Sequence, residues 1–145
     1  MRRAILIKSV QEHIGGDRTV EYAVYMWRRH QLWLPFVVAT AIGVLLVGQL
    51  FSFESANLVL VALLVSAVAG AASTRYFVLA RSGDEIYLLS ASPIRRVAQA
   101  LITSEVTQGD IVAAGNTMLA TDWSVLGETY TVPKSCEQDM QAIIA

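Results

Sequence analysis

Two uninterrupted apolar runs constrain this chain more than any other feature. From Gln31 to Phe53 there is no charged residue, from Ser55 to Thr74 there is none, and only Glu54 separates the two. At a rise of ~1.5 Å per residue, each run is long enough to cross a hydrocarbon layer about 30 Å thick. A core helix of a soluble domain reaches this apolarity over roughly ten to fourteen residues, so two full-length runs in succession predict a transmembrane hairpin. Composition agrees, with 54% of the 145 residues hydrophobic and 16% charged, too apolar for an ordinary soluble domain. Beyond the hairpin there is room for one small domain.

Charge placement orients the hairpin. The connection around Ser52 to Asn57 carries Glu54 but no lysine or arginine. Arg2, Arg3, Lys8, Arg18, Arg28 and Arg29 precede the first run, and Arg75, Arg81, Arg95 and Arg96 follow the second. Basic residues are retained on the cytoplasmic side, so both termini are expected inside and a short turn, 54–56, outside. Trp27, Trp33, Tyr76 and Phe77 fall where an inner headgroup belt lies, and Phe51 and Phe53 fit an outer one. Trp27, Arg28, Arg29, Trp33, Arg75 and Tyr76 are therefore the candidate interface anchors. The early apolar patch, Ala4 to Ile7, is followed by Lys8, Glu12, Asp17 and Arg18, so no signal-peptide core forms and no cleavage is expected. Arginine outnumbers lysine nine to two, and alanine and valine are abundant, a bias that points to a bacterial genome of high GC content.

Five segments follow: a cytoplasmic amphipathic and helical segment 1–30, transmembrane helices 31–53 and 57–75 about the turn, and a strand-rich domain 76–145. In the first, Leu6, Val10 and Ile14 share a helix face that ends at Gly15-Gly16, and this helix lies either on the membrane or on the domain. Asp17 is a candidate cap for a second helical stretch, Thr19 to His30, running into the first span, where Pro35 kinks or restarts the helix. Ala62, Ser66 and Gly70 recur every four residues, and Ala39 and Gly43 share that spacing. Such rows let helices approach closely in lipid, either within the hairpin or against another membrane protein, and the second use is slightly favoured.

After Thr74 the pattern turns to strands. Tyr76–Ala80 and Ile86–Leu89 flank Ser82-Gly83-Asp84 as a β-hairpin. Ser92-Pro93 opens a helix through Leu101, or else Val97–Thr103 is extended. Further strands are expected over 106–113, 117–124 and 129–132, with Asn116 and Gly127 in turns, and a C-terminal helix over 135–144 capped by Ser135. Short antiparallel strands closed by one helix form a compact half-barrel.

The run Tyr76 to Leu89 (YFVLARSGDEIYLL), and then Asp110 to Val132 with Trp123 and Tyr130, resembles the bacterial membrane-tethered pleckstrin-homology-like (PH-like) domains. The first turn differs, reading Ala80-Arg81-Ser82-Gly83-Asp84 where those domains often carry a Thr-Asp-Arg-Arg-like stretch. The resemblance implies a bent sheet capped by a helix, an interaction role and no catalytic residues. The expected fold class is thus a membrane α-helical hairpin plus a small α+β domain.

No chemistry-bearing constellation emerges. His13 and His30 lack a nucleophile elbow, and Cys136, the single cysteine, excludes an internal disulfide. No metal or cofactor spacing occurs, Gly15-Gly16-Asp17 is no phosphate cradle, and no ionisable residue lies within either span to form an ion path. From Tyr76 onward four basic residues face eight acidic ones, a net charge of −4 that speaks against nucleic acid and polyphosphorylated headgroups. No small-molecule substrate is evident. The expected protein is a non-enzymatic bacterial inner-membrane scaffold or accessory subunit, surrounded by lipid and bound to a membrane-protein partner or to its own copies. Arg95, Arg96 and Trp123 are candidate partner contacts, although burial in the sheet is the commoner fate of a residue like Trp123. The rival is a self-assembling holin-like or pore-forming hairpin, disfavoured because neither span carries a polar stripe.

Overall fold

The computed structural model describes residues 2–145. The chain divides into two compact units, one of the chain up to Arg28 with Tyr76–Ala145, the other Arg29–Arg75. The elements in order are α1 (Arg2–Ile14), β1 (Tyr22–Arg29), α2 (Trp33–Leu50), α3 (Ser55–Ala72), β2 (Thr74–Ser82), β3 (Glu85–Ala91), β4 (Ala98–Val106), β5 (Ile111–Asn116), β6 (Ala120–Val125), β7 (Glu128–Pro133) and α4 (Glu137–Ile144). The helical unit is therefore an insertion between two strands of the other.

All seven strands form one antiparallel sheet in the order β4-β3-β2-β1-β7-β6-β5. Consecutive strands are neighbours except β4 and β5, which stand at the two ends of the order, and β1 pairs with β7 at Trp27↔Thr131 to join the first four strands to the last three. Strand alternation sends Val24, Met26, Leu79, Ile86 and Leu88 to one face, where they meet Trp123, Val125, Tyr130 and Val132 and the Met140 and Ile143 side chains of α4. The opposite residues, Ala23, Val78, Ala80, Tyr87, Leu89 and Ala91, are covered by Leu6 and Val10 of α1. Strands β1 to β3 are thus covered on both faces, which explains the unbroken apolar runs of β2 and β3, whereas β4 at the sheet's end is largely exposed. By contrast, β6 alternates strictly between buried and half-buried positions.

Local polar groups hold the helices. Ser9 is buried, donates to the Leu6 carbonyl at 2.7 Å, and accepts from the Ala98 N–H at 3.0 Å. Arg81 donates to the carbonyls of Ala142 and Ile143, satisfying the last turn of α4.

Several expectations are corrected. Residues 22–29 are a strand, not the second half of a helix over Thr19–His30. Tyr22, Val24, Tyr25 and Trp27 favour a pleated surface, and burial on both faces erased the two-residue alternation that marks a strand. Pro35 makes no break, because it lies in the first turn of α2, where N–H groups have no intrahelical acceptor. The Ser92-Pro93 segment forms a turn, and the extended alternative holds as β4. The strand expected over 106–113 is split by the 3-10 turn Gln108–Asp110, closed by reciprocal Thr107 and Asp110 bonds. Ser135 does not cap the last helix, which follows a 3-10 turn at Lys134–Cys136 with Cys136 at its cap position. The apolar helices are shorter than their runs, and Thr74 and Arg75 already belong to β2.

Candidate interaction surfaces

The helical unit packs α2 against α3. Only Gly48 of α2 and Leu58, Ala62 and Ala69 of α3 are buried. Gly48 packs directly under Leu58, and a Cβ there would run into the Leu58 side chain and force it to shift. Gly70 faces Val37, whose Cγ2 lies 3.7 Å from where its Cβ would stand, and Ser66 is half-buried. The row Ala62, Ser66 and Gly70 thus serves the seam between the two helices. Gly43 lines an apolar groove of about 480 Å³ with Val44, Val47, Phe53, Asn57 and Val61. Ala39 faces outward. Around this seam the surface is apolar and exposed, with Leu34, Phe36, Ile42 and Leu46 on α2 and Leu60, Leu63, Leu64 and Val68 on α3. The sequence reading missed Gly48, because it is not four residues from another small residue in its helix.

The six expected interface anchors divide. Arg29 is exposed with its guanidinium 4.5 Å from the centre of the Trp33 ring, and Arg75 is exposed. Trp27 is half-buried in β1. Arg28 and Tyr76 are engaged within the sheet unit: Arg28 pairs with Glu128 at 2.7 Å, and Tyr76 stacks on Tyr25 at 5.5 Å. Burial, reinforced by Tyr76 and opposed by Arg96, pushes the Tyr25 hydroxyl up to about 12. Burial likewise raises Tyr130, against the neighbouring Arg28.

The three candidate partner contacts also divide. Trp123 is buried in the core of the sheet unit, which removes it as a surface anchor. Arg95 and Arg96 are exposed on the β3–β4 loop, beside Ile94, which is 89% exposed and was not singled out in the sequence. The sheet also presents its terminal strands, β4 with exposed Leu101 and Ile102 and β5 with exposed Val112.

The histidines are locally engaged. His13 Nδ1 lies 2.7 Å from the Ser9 carbonyl, which only accepts, so this nitrogen carries the proton. His30 Nδ1 accepts from the Leu32 N–H at 3.2 Å. Among the described residues no three His, Cys, Asp or Glu side chains converge as a metal site. No family model, no curated protein and no solved structure matches the chain.

Proposed function

We propose that α2 and α3 span a bacterial cytoplasmic membrane with both chain termini inside, and that the protein is a non-enzymatic scaffold or accessory subunit of a membrane complex. The observation that carries this reading is the exposed apolar surface around the α2–α3 seam, continuous along two 18-residue helices that hold no charged residue. Water would penalise that surface by roughly 25 cal/mol for each Å², whereas lipid chains accommodate it. The sheet unit is read as a PH-like domain. Its support is the strand order, which leaves an opening between β4 and β5, together with a C-terminal helix packed into the core.

The helical seam consumes the small-residue row, so the protein-binding surface is drawn instead from the outer hairpin face and the terminal strands. Edge strands offer unpaired backbone groups to a further strand, and Leu101 and Ile102 supply apolar side chains beside them. Purification in mild detergent from the native host, with mass spectrometry of the eluate, tests the assignment. A different protein in stoichiometric amount, released by Ile102→Lys, is the expected result. A monomer, or a homo-oligomer that leaks ions from vesicles, would contradict it.

A further inference from the structure

We propose that the β3–β4 loop, residues 92–97, is a second membrane contact that seats Ile94 in the interface of a bilayer carrying anionic phospholipid, with Arg95 and Arg96 on the phosphates. The proposal rests on the reading that the hairpin is membrane-embedded, and it concerns the sheet unit alone.

The loop is built rather than slack. The buried Ser92 accepts at its hydroxyl from the N–H groups of Ile94 at 3.4 Å and Arg95 at 3.2 Å. Its own N–H donates to the Val97 carbonyl at 2.9 Å, and its carbonyl accepts from the Arg96 N–H at 3.2 Å. Tyr25 Oη donates to the same carbonyl at 3.3 Å, and the Arg96 guanidinium lies 5.7 Å from the centre of the Tyr25 ring. Arg96 adopts φ +54°, the left-handed region that non-glycine residues rarely enter. This network holds the base of the loop and leaves its tip, Pro93-Ile94-Arg95, exposed.

The tip is an amphipathic membrane ligand in miniature. Ile94 packs on nothing at 89% exposure, and among the described residues neither arginine pairs with a carboxylate. A lone aliphatic followed by two guanidinium groups that no carboxylate neutralises suits a surface that is apolar just beneath a layer of phosphate. The β2–β3 ladder reaches Phe77↔Ser90, so the loop opens two residues beyond, at the end of the sheet where β2 begins. The sheet unit is acidic beyond Tyr76, so attraction to an anionic surface has to be local, and no enclosed basic pocket surrounds the pair. The ligand is therefore the anionic lipid surface as such, not a selected polyphosphorylated headgroup.

The test uses the full chain, with Cys136→Ser, in nanodiscs of phosphatidylcholine with or without phosphatidylglycerol. An environment-sensitive dye is placed on Ile94→Cys, on Leu63→Cys of α3, or on Met118→Cys of the β5–β6 turn. Quenching by nitroxides on the lipid chains reports immersion. With phosphatidylglycerol present, the Ile94 and Leu63 probes should be quenched and the Met118 probe should not. Arg95→Glu, or high salt, should release the Ile94 probe, and Arg96 is left intact because it packs on Tyr25. A quenched Leu63 probe with an unquenched Ile94 probe overturns this proposal and spares the hairpin reading. An unquenched Leu63 probe overturns both. Equal quenching at Ile94 without phosphatidylglycerol overturns the anionic requirement.

Discussion

A side chain at Gly48 would displace Leu58, whose Cδ1 stands where its Cβ would be. Gly48→Val should weaken the α2–α3 seam by about 1–3 kcal/mol, the usual cost of overpacking. Leu58→Ala in the same chain should recover much of that loss, which thermal melts in mild detergent will show as a partial return of Tm. Tyr25 gives a pH signature. Its hydroxyl is raised from the ordinary 10 to about 12 in the folded state, so the neutral form is the stabilised one. Its contribution is complete below pH 10 and is lost as pH rises through about 12. Tyr25→Phe should therefore flatten the decline in stability over that alkaline window, while costing under about 1 kcal/mol at neutral pH for the lost bond to Ser92. Melting curves of both proteins across the window check this. Trp123 shows how little a single aromatic reveals in sequence, since its type suits an anchor and a core equally and only its alternation partners in β6 decide.

Among the elements, α1 and β1 were the least readable, and the reason is the same for both. A strand covered on two sides loses its alternation, so β1 resembled the lead-in to an apolar helix. A helix with Leu6, Val10 and Ile14 on one face looks identical whether that face meets lipid or protein. The structure settles α1 through Ser9, whose hydroxyl accepts from the Ala98 N–H. Ser9→Ala should leave that buried donor unpaired, lower stability by about 1–3 kcal/mol, and speed hydrogen exchange at Ala98. The β2–β3 hairpin was the most readable element. A Gly-Asp turn with Gly83 at φ +61° sits between two apolar runs, and both strands follow within a few residues of expectation. The seam of the helical unit was half visible. Ala62, Ser66 and Gly70 announced themselves by spacing, whereas Gly48 fits against one leucine from the other helix and carries no local signal.

At the scale of the whole molecule, the arrangement is an insertion. Two uncharged helices are placed between β1 and β2 of a single sheet, joined by three residues on one side and one on the other. The proposed function depends on one claim, that α2 and α3 cross the membrane with Ser52 outside and the sheet unit inside. A membrane-impermeant thiol reagent applied to intact cells tests it most directly. In a Cys136→Ser background, Ser52→Cys should be labelled from outside, and Met118→Cys only after the cells are permeabilised. Labelling of Met118→Cys in intact cells, or release of the protein from membranes by alkaline carbonate, would contradict the account.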